Sequence, residues 1–259
     1  MLDIKDLWVR YNSIGGVTEA VKGVSLCVEK GSFTGLVGES GSGKSTMMMA
    51  LLGLLPPRTE VRGKILFNGT DILGMSDSAM RDIRWKEIAL VPQGAQNSFT
   101  PVMKIKSHIM EVLRVHLGMS LDDAETETAR LLGEVGLDPG IKERYPHELS
   151  GGQKQRASIA LALACSPSLL LADEPTTALD VIVQAEILEL LSNLRRTKGL
   201  SIILVTHDLP LAATVCDRLV VMKDGSIAEI GTPSEIVNEP KHPHTKDLVR
   251  EMFRQRDKK

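Results

Sequence analysis

From Gly38 to Ser45 the chain reads G-E-S-G-S-G-K-S, between the apolar run Ser32–Gly38 and a second apolar run, Met47–Leu55. A stretch this rich in glycine and serine would normally be a surface loop. Here it stands where a buried strand must end and a helix must begin. The pattern fits GxxxxGK[ST], a loop that wraps a phosphate in backbone N–H groups. Wrapping that closely needs residues without a Cβ and with free φ/ψ. The following helix adds the positive end of its dipole, and the spacing predicts that helix from Ser45 to Leu55, stopped by Pro56-Pro57. Lys44 is placed to reach the β- and γ-phosphates of a nucleotide, and the Ser45 hydroxyl to ligate Mg²⁺. The bland alternative is a glycine-rich turn; the order strand, loop, lysine, helix favours the phosphate reading. The methionines of "MMMALLGLL" read as core packing.

The rest of the chain has the alternation this loop requires. "EIALVPQ", "PSLLLADEP" and "LSIILVTHD" are short runs apolar on both faces, separated by helical segments. That argues for an α/β fold with a mostly parallel sheet covered on both sides. The N-terminal "LDIKDLWVRY" and "AVKGVSLCVEKG" alternate in part at period two and read as further strands. Ser76 caps a predicted short helix to Arg84, and Asp224-Gly225 reads as a hairpin turn. Residues 101–165 are mostly helical in pattern and interrupt the alternation, as an inserted subdomain would.

Acidic and polar residues gather at the ends of the buried strands. Asp173 and Glu174 close "LLLADE". Strand alternation would point them different ways, Asp173 to Mg²⁺ and Glu174 to a water in line with the γ-phosphate as general base. The alternative is an ordinary acidic turn. His207 ends "IILVTH" and Gln93 ends "EIALVPQ". Strand C-termini are where α/β sheets hold ligands, so His207 is a candidate γ-phosphate contact and Gln93 a candidate for Mg²⁺ or water. A lone histidine at a strand end is otherwise structural.

Composition excludes some classes. The balance of 31 Lys+Arg against 33 Asp+Glu argues against a protein held on nucleic acid mainly by bulk charge, and leaves a local basic patch open. Cys27, Cys165 and Cys216 have no CxxC spacing, and their apolar neighbours predict buried free thiols rather than a metal site. No signal peptide opens the sequence and no apolar run reaches a membrane span. "NGT" at Asn68–Thr70 reads as chance rather than a glycosylation site. His242 and His244 read as solvated residues at a helix start rather than as metal ligands.

"LSGGQ" at Leu149–Gln153, taken with the phosphate loop, Gln93, "LLLADEP", Ala178–Asp180 and His207 in this order, resembles the ATP-binding cassette (ABC) ATPases over essentially the whole chain. "YPHELSGGQKQRASIALALACSPSLLLADEPTTALDVIVQAEIL", "RWKEIALVPQGAQNSFTPVM" and the terminal "HPHTKDLV" are similar to the peptide/nickel importer class, especially its D-type subunits. Two features depart from that class: no cysteine follows Cys216, so no iron–sulfur cluster is carried over, and "GAQNSFTP" replaces the commoner "DPMTSLNP".

The resemblance implies a P-loop NTPase (RecA-like) core, an N-terminal antiparallel β subdomain, an inserted helical subdomain at about 96–164 and a C-terminal extension at about 232–259. It implies ATP and Mg²⁺ as cofactors. Nucleotide contacts would come from Tyr11 (stacked on adenine, with Trp8 the lesser candidate), Gly38, Ser40, Gly41, Gly43, Lys44, Ser45 and Thr46. A second chain, identical or different and packed head to tail as a homo- or heterodimer, would supply Ser150, Gly151, Gly152 and Gln153, with Asp180 at the seam. Glu174, His207 and Gln93 would be catalytic; Ser45, Gln93 and Asp173 would hold the metal. The expected partners are that second ATPase subunit, two transmembrane permease subunits met through the helical insert (Met103, Ile105, Ile109, Met110, Val112 and Leu113 among the candidates), and indirectly an extracytoplasmic solute-binding protein. Nucleic acid is not among them. The expected location is the cytoplasmic face of the membrane. The competing reading is a soluble ABC-type ATPase acting on nucleic acid or ribosomes, which the single cassette and the lack of sustained heptads disfavour.

Overall fold

The computed structural model describes residues 1–13, 16–94 and 98–256. In chain order the elements are β1 (Leu2–Ser13), β2 (Gly16–Val28), β3 (Phe33–Val37), α1 (Lys44–Leu51), β4 (Thr59–Phe67), β5 (Thr70–Asp71), α2 (Asp77–Ile83), β6 (Ile88–Val91), α3 (Ile105–Leu117), α4 (Leu121–Glu134), α5 (Gly151–Ala162), β7 (Leu169–Asp173), α6 (Val181–Lys198), β8 (Ser201–Thr206), α7 (Leu209–Val215), β9 (Arg218–Lys223), β10 (Ser226–Gly231), α8 (Pro233–Asn238) and α9 (Pro243–Arg256). They form two compact units: Met1–Met80 with Ser201–Lys259, and Arg81–Leu200. The segment expected to begin the helical insert, at Gln96, and the middle of "GAQNSFTP" lie outside the described residues, as does the end of the charged tail.

The first unit holds an antiparallel sheet in the order β2-β1-β4-β5. Its β1 explains why the alternation is only partial. Leu2, Ile4, Leu7 and Val9 are all fully buried, so the inward phase slips by one between Ile4 and Leu7. A register shift stands at that point, and Asp6 has φ 47. The bulge resets the phase and keeps both halves of the strand facing the core. Gly63 makes room for it: a Cβ there would lie 2.3 Å from the Asp6 carbonyl oxygen.

In the same unit β3 pairs in parallel with β8 and β9, and β10 is antiparallel to β9. Every residue of β3 and β8 is buried, which is why neither strand alternates in sequence. The helix α1 ends at Leu51, short of the expected Leu55. Gly53 stops it before the prolines are reached. It takes φ 61, its N–H donates to the Ala50 carbonyl (3.1 Å) and the Leu54 N–H to the Met49 carbonyl (2.9 Å). This closes the last turn with a left-handed glycine.

The second unit pairs β6 with β7 in parallel, Ile88 opposite Leu169 through Val91 opposite Ala172. It carries α3, α4, α5 and α6. Ile105, Ile109 and Leu113 form the inward stripe of α3 and are fully buried, so they offer nothing to a partner surface. The exposed apolar side chains of this stretch are instead Val102, Val115, Leu117 and Leu121.

Two expectations about single residues are corrected. Cys27 is exposed, because on β2 it alternates outward between the buried Leu26 and Val28. Cys165 and Cys216 are buried as expected, and burial pushes the Cys165 thiol up to about 11. His244 is not solvated: it is 5% exposed at the start of α9, and burial lowers its pKa. Among the described residues no helix is long and apolar enough to cross a membrane, and no group of three or more His, Cys, Asp or Glu could hold a metal ion.

Candidate active site

In the first unit, the glycine loop leaves β3 at Val37 and enters α1 at Lys44. Gly41 and Gly43 have φ 81 and φ 101, the left-handed region that side chains resist. Gly43 is doubly constrained, since a Cβ there would lie 2.4 Å from the Ala20 carbonyl oxygen. At Gly38 a Cβ would lie 2.4 Å from the Met222 carbonyl oxygen and 2.8 Å from Ser42 Oγ. The loop is therefore a shape that only glycine allows at these positions.

Lys44 is 5% exposed and folds over the loop it follows. Its Nζ donates to the carbonyls of Gly38 and Glu39 (both 2.7 Å) and to Ser42 Oγ (3.2 Å). The ammonium thus organises the loop that would surround an anion. Gly43 caps α1 without a side chain, which leaves the first-turn N–H groups directed at the loop. Ser40, Gly41 and Ser45 are exposed, and Thr46 is half-buried. Tyr11 reaches this place from β1: its hydroxyl donates to Thr46 Oγ1 at 3.2 Å. Trp8 is engaged elsewhere, its indole N–H donating to Asp6 Oδ1 (2.9 Å) and its ring lying under the Arg10 guanidinium (5.9 Å).

His207 belongs to the same edge. The parallel register sets Val37 beside Thr206, so the exposed His207 follows β8 where Gly38 follows β3. Its turn is fixed by Asp208, whose N–H donates to Thr206 Oγ1 (3.0 Å) and whose carboxylate accepts from the Leu211 N–H (2.8 Å) to cap α7.

In the second unit, Asp173 ends β7 and is 7% exposed. Glu174 does not continue the strand, which corrects the alternation argument. It takes φ 44, so a left-handed turn rather than the pleat aims its carboxylate. Gln93 Nε2 donates to Glu174 Oε2 at 2.8 Å, bringing together two residues predicted from separate strand ends. The Thr177 hydroxyl donates to the same oxygen at 3.0 Å. Thr177 was not singled out from sequence. The signal was present in a Thr three residues after an acid, a spacing at which short side chains bond back onto a turn. Ala178, at φ 63, completes the turn.

Asp180 caps α6, its Oδ1 accepting from the N–H groups of Ile182 (3.1 Å) and Val183 (3.0 Å). Ser150 and Gln153 form a capping box at the start of α5: Ser150 Oγ accepts from the Gln153 N–H (3.2 Å) and Gln153 Oε1 from the Ser150 N–H (3.0 Å). The Ser150 hydroxyl proton stays available to a ligand while its oxygen caps the helix. Gly152 has a packing reason as well, since a Cβ there would lie 2.8 Å from Val183 Cγ1 on α6.

Comparison with known proteins agrees on one assignment. The family described as "ABC transporter" matches residues 21–177. The chain is 44% identical over 256 residues to the oligopeptide transport ATP-binding protein OppD of Bacillus subtilis, covering 97% of this chain and 72% of that protein. It is 44% identical over 253 residues to the dipeptide transport ATP-binding protein DppD of the same organism, covering 96% and 76%. Among solved structures, the ATP-binding cassette MJ0796, a dimer in a post-hydrolysis state bound to ADP and Pi, aligns with TM-score 0.81 at 29% identity over 90% of this chain and 99% of its own. The structure of cbiO1 from Clostridium perfringens, part of the ABC transporter complex cbiONQ, aligns with TM-score 0.80 at 30% identity, covering 97% and 93%.

Proposed function

Because the chain belongs to the ABC transporter family of ATP-binding proteins, we propose that it is the ATP-hydrolysing subunit of an importer for peptides or a related small solute such as nickel. The observation that carries the chemistry is the phosphate loop, a cradle closed to any Cβ at Gly38 and Gly43 and organised by Lys44. The peptide class rests on the relatives, which are described as oligopeptide and dipeptide transport proteins. The same descriptions speak against a soluble ATPase acting on nucleic acid or ribosomes.

Lys44 and the loop N–H groups of Ser40, Gly41 and Gly43 hold the β- and γ-phosphates, with Tyr11 against the base. Glu174 accepts the proton of the attacking water as its oxygen bonds to the γ-phosphorus and the bond to ADP breaks. His207 contacts the γ-phosphate. Ser45, Gln93 and Asp173 would hold Mg²⁺. They fit it as an all-oxygen set with one carboxylate, which suits a hard cation that takes its remaining ligands from phosphates and water. The ion's contribution, when bound, is to neutralise charge on the phosphate oxygens.

Ser150, Gly151, Gly152 and Gln153 serve a nucleotide held by a second chain, with Asp180 at the seam between the two. The solved dimer of a related cassette supports pairing. Two permease subunits and, through them, a solute-binding protein would complete the assembly, with this chain at the cytoplasmic face of the membrane. Glu174→Gln tests the reading: ATP affinity is expected to stay near wild type while kcat falls about 10²–10⁴-fold and ATP-dependent uptake of a labelled peptide stops. Turnover near wild type would remove Glu174 as the base.

A further inference from the structure

The turn that follows the acidic pair is built around one carboxylate oxygen. Glu174 Oε2 accepts from the Gln93 amide at 2.8 Å and from the Thr177 hydroxyl at 3.0 Å. The same two residues, Glu174 and Thr177, are tied by the backbone, the Thr177 N–H donating to the Glu174 carbonyl at 3.1 Å. The turn is anchored from α6, where Gln184 Nε2 donates to the Thr176 carbonyl at 3.2 Å. Thr176 and Thr177 are adjacent but differ in kind. Thr176 is buried and packs; Thr177 is exposed, and its hydroxyl bonds inward to the carboxylate. Glu174 itself stands at φ 44, a strained conformation for a non-glycine residue that persists only when its surroundings hold it.

We propose that Thr177 is a positioning residue for the hydrolytic base: its hydroxyl fixes the orientation of the Glu174 carboxylate, so that the group is aimed at the proton it takes. The inference rests on the reading of Glu174 as the base, and adds a residue that acts through it. Gln93 holds the same oxygen from the end of another strand, and under the proposed function it also serves the metal or the water. Thr177 is held to Glu174 by the turn that contains both. Removal of the hydroxyl therefore loosens the aim of the carboxylate, and the loss falls on kcat rather than on KM for ATP.

The test is steady-state ATP hydrolysis by the full chain over a range of ATP concentrations, for wild type, Thr177→Val, Thr177→Ser and Glu174→Gln. Thr177→Val keeps the shape and removes the hydroxyl; kcat is expected to fall about tenfold with KM for ATP unchanged. Thr177→Ser restores the hydroxyl and is expected to return kcat to within about twofold of wild type. The proposal is overturned if Thr177→Val turns over at the wild-type rate, if Thr177→Ser loses as much as Thr177→Val, or if the loss falls on KM for ATP instead of kcat. The Glu174→Gln arm separates the two levels. An inactive Glu174→Gln beside an unaffected Thr177→Val removes Thr177 alone, whereas an active Glu174→Gln removes the base assignment on which it depends.

Discussion

The phosphate loop of the first unit and the acidic turn of the second both use left-handed backbone, and they reach it by opposite means. In the loop, Gly41 and Gly43 occupy φ 81 and φ 101, where glycine meets no steric cost. In the turn, Glu174 and Ala178 occupy φ 44 and φ 63 with side chains attached. The difference follows from what each segment must present. A phosphate is bound by backbone N–H groups, so side chains at the loop glycines would only obstruct. Under the proposed function the turn must present a carboxylate for proton transfer, so it carries a Glu in a strained conformation and steadies it with Gln93 and Thr177.

Substitutions that exchange these solutions order themselves by size. Gly43→Ala combines an unfavourable φ of 101 with a Cβ 2.4 Å from a carbonyl oxygen, and is expected to cost several kcal/mol, about 2–5, with loss of measurable ATP binding. Gly38→Ala meets a carbonyl oxygen at the same distance without the positive φ, and is expected to cost about 1–3 kcal/mol. Gly41→Ala points its Cβ into open space and carries only the backbone cost, about 1–2 kcal/mol. Urea unfolding and ATP titration of the three variants check that order; equal effects would mean that the loop reshapes freely.

In the turn the sign reverses. Ala178→Gly relieves about 1–2 kcal/mol of strain and adds about 0.5–1 kcal/mol of chain entropy to the unfolded state, for a small net stabilisation of about 0.5 kcal/mol. A clear loss of stability in the same urea experiment would show that Ala178 is held by packing rather than tolerated.

The same contrast explains what could be read from the sequence. The loop was legible because its requirement is local and steric: glycines, a lysine and a helix start at fixed spacing. The buried strands β3, β7 and β8 were legible because continuous apolar runs have few other uses. The aim of Glu174 was not, because alternation predicts the pleat and the chain leaves the pleat after Asp173. The Gln93–Glu174 hydrogen bond joins residues 81 positions apart, beyond any local pattern. Asp180 as a helix cap could have been read, since an acid directly before an apolar helical run is a start signal. The bulge at Asp6 and the end of α1 at Gly53 each turned on one backbone angle, which a pattern of apolar residues does not encode. His244 was misjudged because its burial depends on how α9 packs and not on its own neighbours in sequence.

The central claim is that each hydrolysing site needs two chains, one giving the phosphate loop and the other the Ser150–Gln153 helix start. The direct measurement is ATP turnover per chain against protein concentration, with the mass of the species followed by light scattering in the same samples. Turnover per chain is expected to rise with concentration and level off as the dimer forms. Turnover that stays constant down to concentrations where light scattering finds only monomer would contradict the account.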